Sequence, residues 1–221
     1  MAMRAVMAGL VVLLPLQASG LPAAAQQQAV PAAAGEGPPA AWATPTEEVR
    51  GIINRVLMLL TLRNLKPPAM AKERRAAIRA TVRERFNFGE MARRGLAGHW
   101  GDLTPADRDH FVRVFTDLLE KAYLDKLESL SDEEFVYTGE QIDGDTATVN
   151  SKVLTKKGVE IPIDYKLFQR NGRWDVYDFL IDGVSVMNNY RQRFNKIIDA
   201  RSYQELVRLM EMKLEKESPE N

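Results

Sequence analysis

The sequence predicts an α+β fold, a curved four-stranded antiparallel meander packed with helices that precede and follow it and enclosing an apolar pocket. Three observations carry this. Apolar residues recur at helical spacing up to about residue 122 and again after residue 183. Between those stretches the period drops to two, the period of a strand. The alternating segments are separated by Asp143-Gly144, Lys157-Gly158 and Asn171-Gly172. Such X-Gly pairs suit tight hairpins, because glycine accepts positive φ.

The elements follow in order. Thr44-Pro45-Thr46-Glu47 reads as a helix start, with Thr44 as N-cap, Pro45 in the first turn and Glu47 three residues after the cap. Val49, Ile52, Ile53, Val56, Leu57 and Leu60 form its inner stripe, and Pro67-Pro68 stops it or its frayed end. A basic helix over about 70–85 carries Ile78 and Val82. Asn87 and Glu90 form a cap-like pair before a helix with Met91 and Leu96, ended by Gly98. Thr104 starts the longest helix, striped by Phe111, Val114, Phe115, Leu118, Leu119 and Ala122. Strands are expected over 135–141, 146–154, 159–168 and 173–182. A helix with Met187, Tyr190, Phe194, Ile197 and Ile198 follows. Ser202 and Glu205 cap a last helix with Leu206, Val207, Met210 and Leu214.

The segment 174–194, WDVYDFLIDGVSVMNNYRQRF, is the most informative. Strict alternation puts Trp174, Val176 and Leu180 on one face of its strand and Tyr177, Phe179 and Ile181 on the other. A strand apolar on both faces needs cover on each, and one face is then free to border a cavity.

Residues 1–25 read as a cleavable signal peptide for export to the periplasm. Arg4 supplies the positive n-region, 6–16 a short apolar core and Ala23-Ala24-Ala25 small residues for cleavage. Residues 26–45 read as a disordered Ala/Gln/Pro-rich leader, 46–216 as the folded domain and 217–221 as a polar tail. There is no cysteine, which excludes disulfides, thiolate metal ligands and acylation as a lipoprotein. Formal charge is zero, so bulk electrostatics does not point to nucleic acid. The charge is unevenly spread. The segment 63–94 is rich in Lys and Arg, whereas 127–151 is acidic until Lys152. Two solvated faces, or a device that orients the protein on a membrane or partner, both fit.

Catalytic chemistry finds little support. His99 and His110 sit on different helical segments, and neither G-x-S-x-G nor H-E-x-x-H occurs. Asp143-Gly144-Asp145 lacks the rest of a calcium loop and reads as a turn. Asp178, within the apolar strand on the face of Trp174, needs a donor if buried. Arg191 is the candidate partner in a structural ion pair. A raised-pKa general acid in an isomerase or hydrolase is the alternative.

Three segments resemble the MlaC family, periplasmic phospholipid-binding proteins of the Mla pathway, also called toluene-tolerance auxiliary components. They are FNFGEMARRGLAGHW (86–100) with LTPADRDHFVRVFTDLL (103–119), DGDTATVNSKV (143–153) with IPIDYKL (161–167), and 174–194. The resemblance spans about 49–213. It implies a carrier with a deep apolar pocket, not an enzyme, that holds the acyl chains of a glycerophospholipid and needs no cofactor or metal. It further implies exchange with an outer-membrane lipoprotein complex and an inner-membrane MCE-domain ABC transporter, maintaining outer-membrane lipid asymmetry, by a monomer. Val149, Val153, Ile163, Tyr165, Phe179 and Ile181 are then expected on the sheet side of the pocket. Met91, Trp100, Phe111, Phe115 and Tyr190 are expected on the helix side. For each, ordinary core packing is the competing expectation. A hopanoid or isoprenoid lipid is the alternative cargo.

Overall fold

The structure, a computed structural model, describes residues 43–130 and 133–216. The expected signal peptide, nearly all of the leader and the polar tail lie outside the described residues. Helix α1 spans Pro45–Thr61 and α2 Ala71–Arg83, followed by α3 (Phe88–Leu96) and α4 (Pro105–Glu128). Strands β1 (Glu134–Asp143), β2 (Thr146–Leu154), β3 (Glu160–Arg170) and β4 (Arg173–Ile181) come next. A two-residue β5 (Val184–Ser185) leads into α5 (Val186–Ala200) and α6 (Tyr203–Lys216). The sheet is antiparallel in the order β1-β2-β3-β4-β5.

Local chemistry accounts for most boundaries. Thr44 and Glu47 form the reciprocal capping box of α1. Asn87, Thr104, Ser185 and Ser202 each accept a backbone N–H at the start of α3, α4, α5 and α6. Gly144, Gly158 and Gly172 adopt positive φ in the hairpins, which sets the register of the meander.

Three expectations are corrected. Helix α1 ends at Thr61 rather than at Pro67-Pro68, and a separate 3-10 turn (Pro68–Met70) starts at the prolines. The residue that leaves α3 with positive φ is Ala97, not Gly98. The third correction concerns β4. Leu167 pairs with Val176 but Lys166 with Asp178, so Tyr177 is an extra residue in a β-bulge. A bulge reverses the alternation beyond it. Trp174, Val176, Phe179 and Ile181 therefore share one face, hereafter the inner face, while Asp178 and Leu180 lie on the outer one. The fifth strand, absent from the sequence reading, is too short to show a period.

Apolar burial falls into three clusters. One joins α3, α4, α5 and α6 around Met91, Leu96, Phe111, Phe115 and Phe194. A second holds α1, through Val49 and Ile53, against Ala147, Val149, Tyr165, Leu167, Trp174 and Val176 of the sheet. The third packs α1 and α2 on Leu124 of α4, through Ile52, Val56, Leu60 and Ile78. Phe86 touches all three, and Phe179 touches the first two.

Candidate functional site

The inner face of the sheet is built by register. Val149, Tyr165 and Phe179 form one cross-strand row. The next contains Tyr137, Ser151, Ile163 and Ile181, and beyond it Phe135, Val153 and Ile161. The structure thus brings all six sheet-side candidates onto a single surface. The bulge at Tyr177 is what aligns Phe179 and Ile181 with the rest.

The two ends of this surface differ. At one end α1 covers Ala147, Val149, Leu167 and Val176, and the fit is close. The void left there is about 10 Å³, bounded by Val49, Ile52, Ile53, Phe86, Tyr165 and Trp174, with the Glu48–Arg85 ion pair at its rim. That is room for one water-sized sphere. At the other end Phe135, Tyr137, Ile163, Phe179 and Ile181 are half-buried, while Ser151, Val153 and Ile161 among them are buried. Tyr123 of α4 meets this end, its ring edge-on to Phe179 at 5.2 Å.

Few polar groups break the apolar surface. The Ser151 hydroxyl donates to the Ile163 carbonyl at 2.6 Å. Burial pushes the Tyr165 phenol well above its ordinary range. Burial likewise pushes Tyr137 up to about 12, against the opposing pull of the Arg50 guanidinium 4.9 Å from its ring centre. The Tyr137 hydroxyl is buried and has no hydrogen-bond partner among the described residues. A buried phenol in that condition is a donor open to a polar atom of a ligand.

The helix-side candidates gather in or against the helical cluster. Met91, Phe111 and Phe115 are fully buried inside the helical cluster. Phe111 stacks on Phe115 at 5.7 Å, and both meet Phe194 edge-on. Tyr190 is half-buried, 5.3 Å from Phe115. Trp100 packs against the edge of this cluster, beside Arg108 in a surface groove. Tyr123, Phe135 and Tyr137, which line the half-buried end, are not among the expected pocket residues. Tyr123 falls four residues after Leu119, so extending the α4 stripe by one step finds it.

The expected Asp178–Arg191 ion pair is replaced by another arrangement. Asp178 accepts from the Ser185 hydroxyl at 2.6 Å and from the backbone N–H of Met187 at 3.0 Å. The bulge turns this carboxylate to the outer face, where the free N–H groups of the α5 N-terminus await an acceptor. Arg191, on the exposed side of α5, donates to Asn188 at 2.6 Å. Both carboxylate oxygens are therefore committed to a helix start.

His99 approaches Asp199 at 3.7 Å and His110 approaches Glu211 at 3.0 Å, each near the surface. Among the described residues no group of His, Asp or Glu is arranged to hold a metal ion, and no helix is long and apolar enough to cross a membrane.

Comparison with known proteins follows the same line. Residues 50–212 match the profile of the family described as MlaC protein. The intermembrane phospholipid transport system binding protein MlaC of Haemophilus influenzae is 21% identical over 142 residues, 62% of this chain. The match spans 66% of that relative, a little under two thirds of its length. A phospholipid-binding protein from Ralstonia solanacearum, solved in complex with a phospholipid, superimposes with a TM-score of 0.64 at 20% identity. That alignment covers 76% of this chain and 96% of the other, and shows a shared fold.

Proposed function

The chain belongs to the MlaC family, and we propose that it is a periplasmic phospholipid carrier which buries acyl chains against the inner face of its sheet. The observation that carries this reading is the alignment of Val149, Val153, Ile163, Tyr165, Phe179 and Ile181 on one surface, left half-covered at the Ile163 end. The phospholipid bound by the Ralstonia protein of the same fold supports it. Met91, Phe111 and Phe115 serve as the packed floor of the helical layer, and Tyr190 and Tyr123 as the edge nearest the cargo. The Tyr137 hydroxyl is the polar contact, suited to an ester or phosphate oxygen.

Physical chemistry makes such a carrier necessary. Burying a methylene is worth roughly 0.8 kcal/mol, so two ordinary acyl chains carry on the order of 20 kcal/mol of exposure cost in water. A protein that covers them needs no nucleophile, metal or cofactor. Ligand pockets run to about 300–1,000 Å³, far above the void of about 10 Å³ under α1. Loading beneath α1 therefore requires α1 to part from the sheet. Release is assisted in turn by partners that stabilise the parted form. These partners are an outer-membrane lipoprotein complex and an inner-membrane MCE-domain ABC transporter.

Native mass spectrometry of the mature chain, with extraction of whatever is bound, tests the reading. The expected result is a mass increment equal to a phospholipid, before or after incubation with phospholipid vesicles. A chain that stays at its bare mass through both treatments is not a phospholipid carrier.

A further inference from the structure

A second concavity on the described residues lies away from the inner face. It is a groove of about 860 Å³ between α3, the start of α4 and the end of β3. Phe168, which reaches it from β3, points to the outer face of the sheet, because its neighbours Leu167 and Gln169 point inward. Trp100, Val112 and Phe168 give the groove a half-buried apolar floor.

Its walls are basic. Arg93, Arg108, Arg113 and Arg170 line it against Glu90 and Asp109. Glu90 is already shared between Arg93 and Arg94, which holds its carboxyl below the usual range despite burial. Arg108 spends its donors on the carbonyls of Trp100 and Gly101, with its guanidinium 5.5 Å from the Trp100 ring. Among the described residues no carboxylate lies within ion-pair distance of Arg108 or Arg113. Arg170 and Asn87 reach back to the buried Asp175 at 3.5 and 3.4 Å, which props that wall from behind.

We propose that this groove is a docking site for an acidic segment of a partner protein, a segment carrying a bulky apolar side chain. The argument is charge complementarity joined to shape. Uncompensated arginines around a tryptophan are the composition that dominates binding energy at protein interfaces. A flat bilayer surface would leave the concavity unfilled, whereas a chain segment can lay one side chain on the Trp100–Val112–Phe168 floor. Because the groove opens on the outer face, its occupant leaves the inner face free. A docked carrier can then exchange cargo without letting go. The proposal rests on the groove alone and survives or falls apart from the lipid reading.

The test uses the isotope-labelled mature chain and a short fluorescent peptide of alternating Glu and Phe, with a Lys/Phe peptide as control. Saturable binding of the acidic peptide is expected, weakening as salt rises. The indole N–H resonance of Trp100 should move and that of Trp174, on the inner face, should not. Arg113→Glu, at an exposed position that leaves the fold intact, should weaken binding by at least about tenfold. Arg113→Lys should retain most of it. Equal affinity for the Lys/Phe peptide, no binding of either, or binding untouched by Arg113→Glu each overturns the proposal. So does loss of binding to anionic phospholipid vesicles on Arg113→Glu without peptide binding, which would assign the surface to a membrane.

Discussion

Replacing Asp178 separates a helix-start role from an ion pair with a clear difference in size. In Asp178→Ala two charge-assisted hydrogen bonds disappear, those from Ser185 Oγ and Met187 N. Met187 is 4% exposed, so its N–H finds no water in exchange. An unsatisfied buried donor costs about 1–3 kcal/mol, and loss of a helix N-terminal acceptor about 0.5–2. The variant should lose about 3 kcal/mol. Asp178→Asn keeps one acceptor but turns an amide toward a donor, and should lose about half as much. Arg191→Ala removes only an exposed bond to Asn188 and should cost about 0.5 kcal/mol at most. Urea unfolding followed by circular dichroism gives all three from the shift in midpoint at constant slope. A double-mutant cycle between Asp178 and Arg191 should show no coupling. If Arg191→Ala were as costly as Asp178→Ala, or the cycle gave more than about 1 kcal/mol of coupling, the reasoning would be refuted.

Four further outcomes are expected. Ile163→Glu places a charge at the half-buried end of the inner face and should abolish phospholipid loading by native mass spectrometry while the chain stays folded. Phe115→Ala removes a fully buried ring stacked on Phe111 and should cost about 3–5 kcal/mol of unfolding free energy, read by urea melts. Ala97→Gly relieves a φ of +49 at an exposed position and should stabilise by about 1 kcal/mol. The Tyr123 phenol, raised by burial from about 10 to about 12, deprotonates later in the folded chain than in the unfolded one. Its contribution to stability is therefore whole below pH 10 and lost as pH climbs to 12. Thermal melts across that window check the sign, which should reverse nowhere within it.

The parts of the fold legible in the sequence are those governed by neighbours in the chain. Thr44 with Glu47, Asn87 with Glu90, and the glycines of the hairpins announce helix starts and turns, because their partners lie within a few residues. The bulge at Tyr177 depends on how β3 and β4 slide past each other, and nothing within 174–181 reveals it. Missing it put Phe179 and Trp174 on opposite faces and led to Arg191 as the partner of Asp178. The candidate site was half legible for the same reason. Alternation alone groups the residues of β2 and β3, so Val149, Val153, Ile163 and Tyr165 were aligned. A helical stripe says that Met91, Phe111 and Phe115 face inward, but not which interior they face.

The closed fit of α1 on the sheet bears on how a carrier can both hold and surrender its cargo. Val49 and Ile53 are nearly inaccessible beneath the sheet, and each contributes about 1.5–3 kcal/mol by staying there. Acyl chains entering the same interface would displace that contact. They would also cover the sheet face again, so the sheet itself gains nothing from the exchange. The net drive for loading from water is then the roughly 20 kcal/mol recovered by the tails, less about 5 for parting α1. A bilayer recovers the same 20 without that cost. On the proposed reading, closure of α1 would bias a loaded chain toward giving lipid up wherever an apolar acceptor touches it. By the same arithmetic, a carrier of this kind would strip lipid from a membrane only with a partner that offsets the cost of opening.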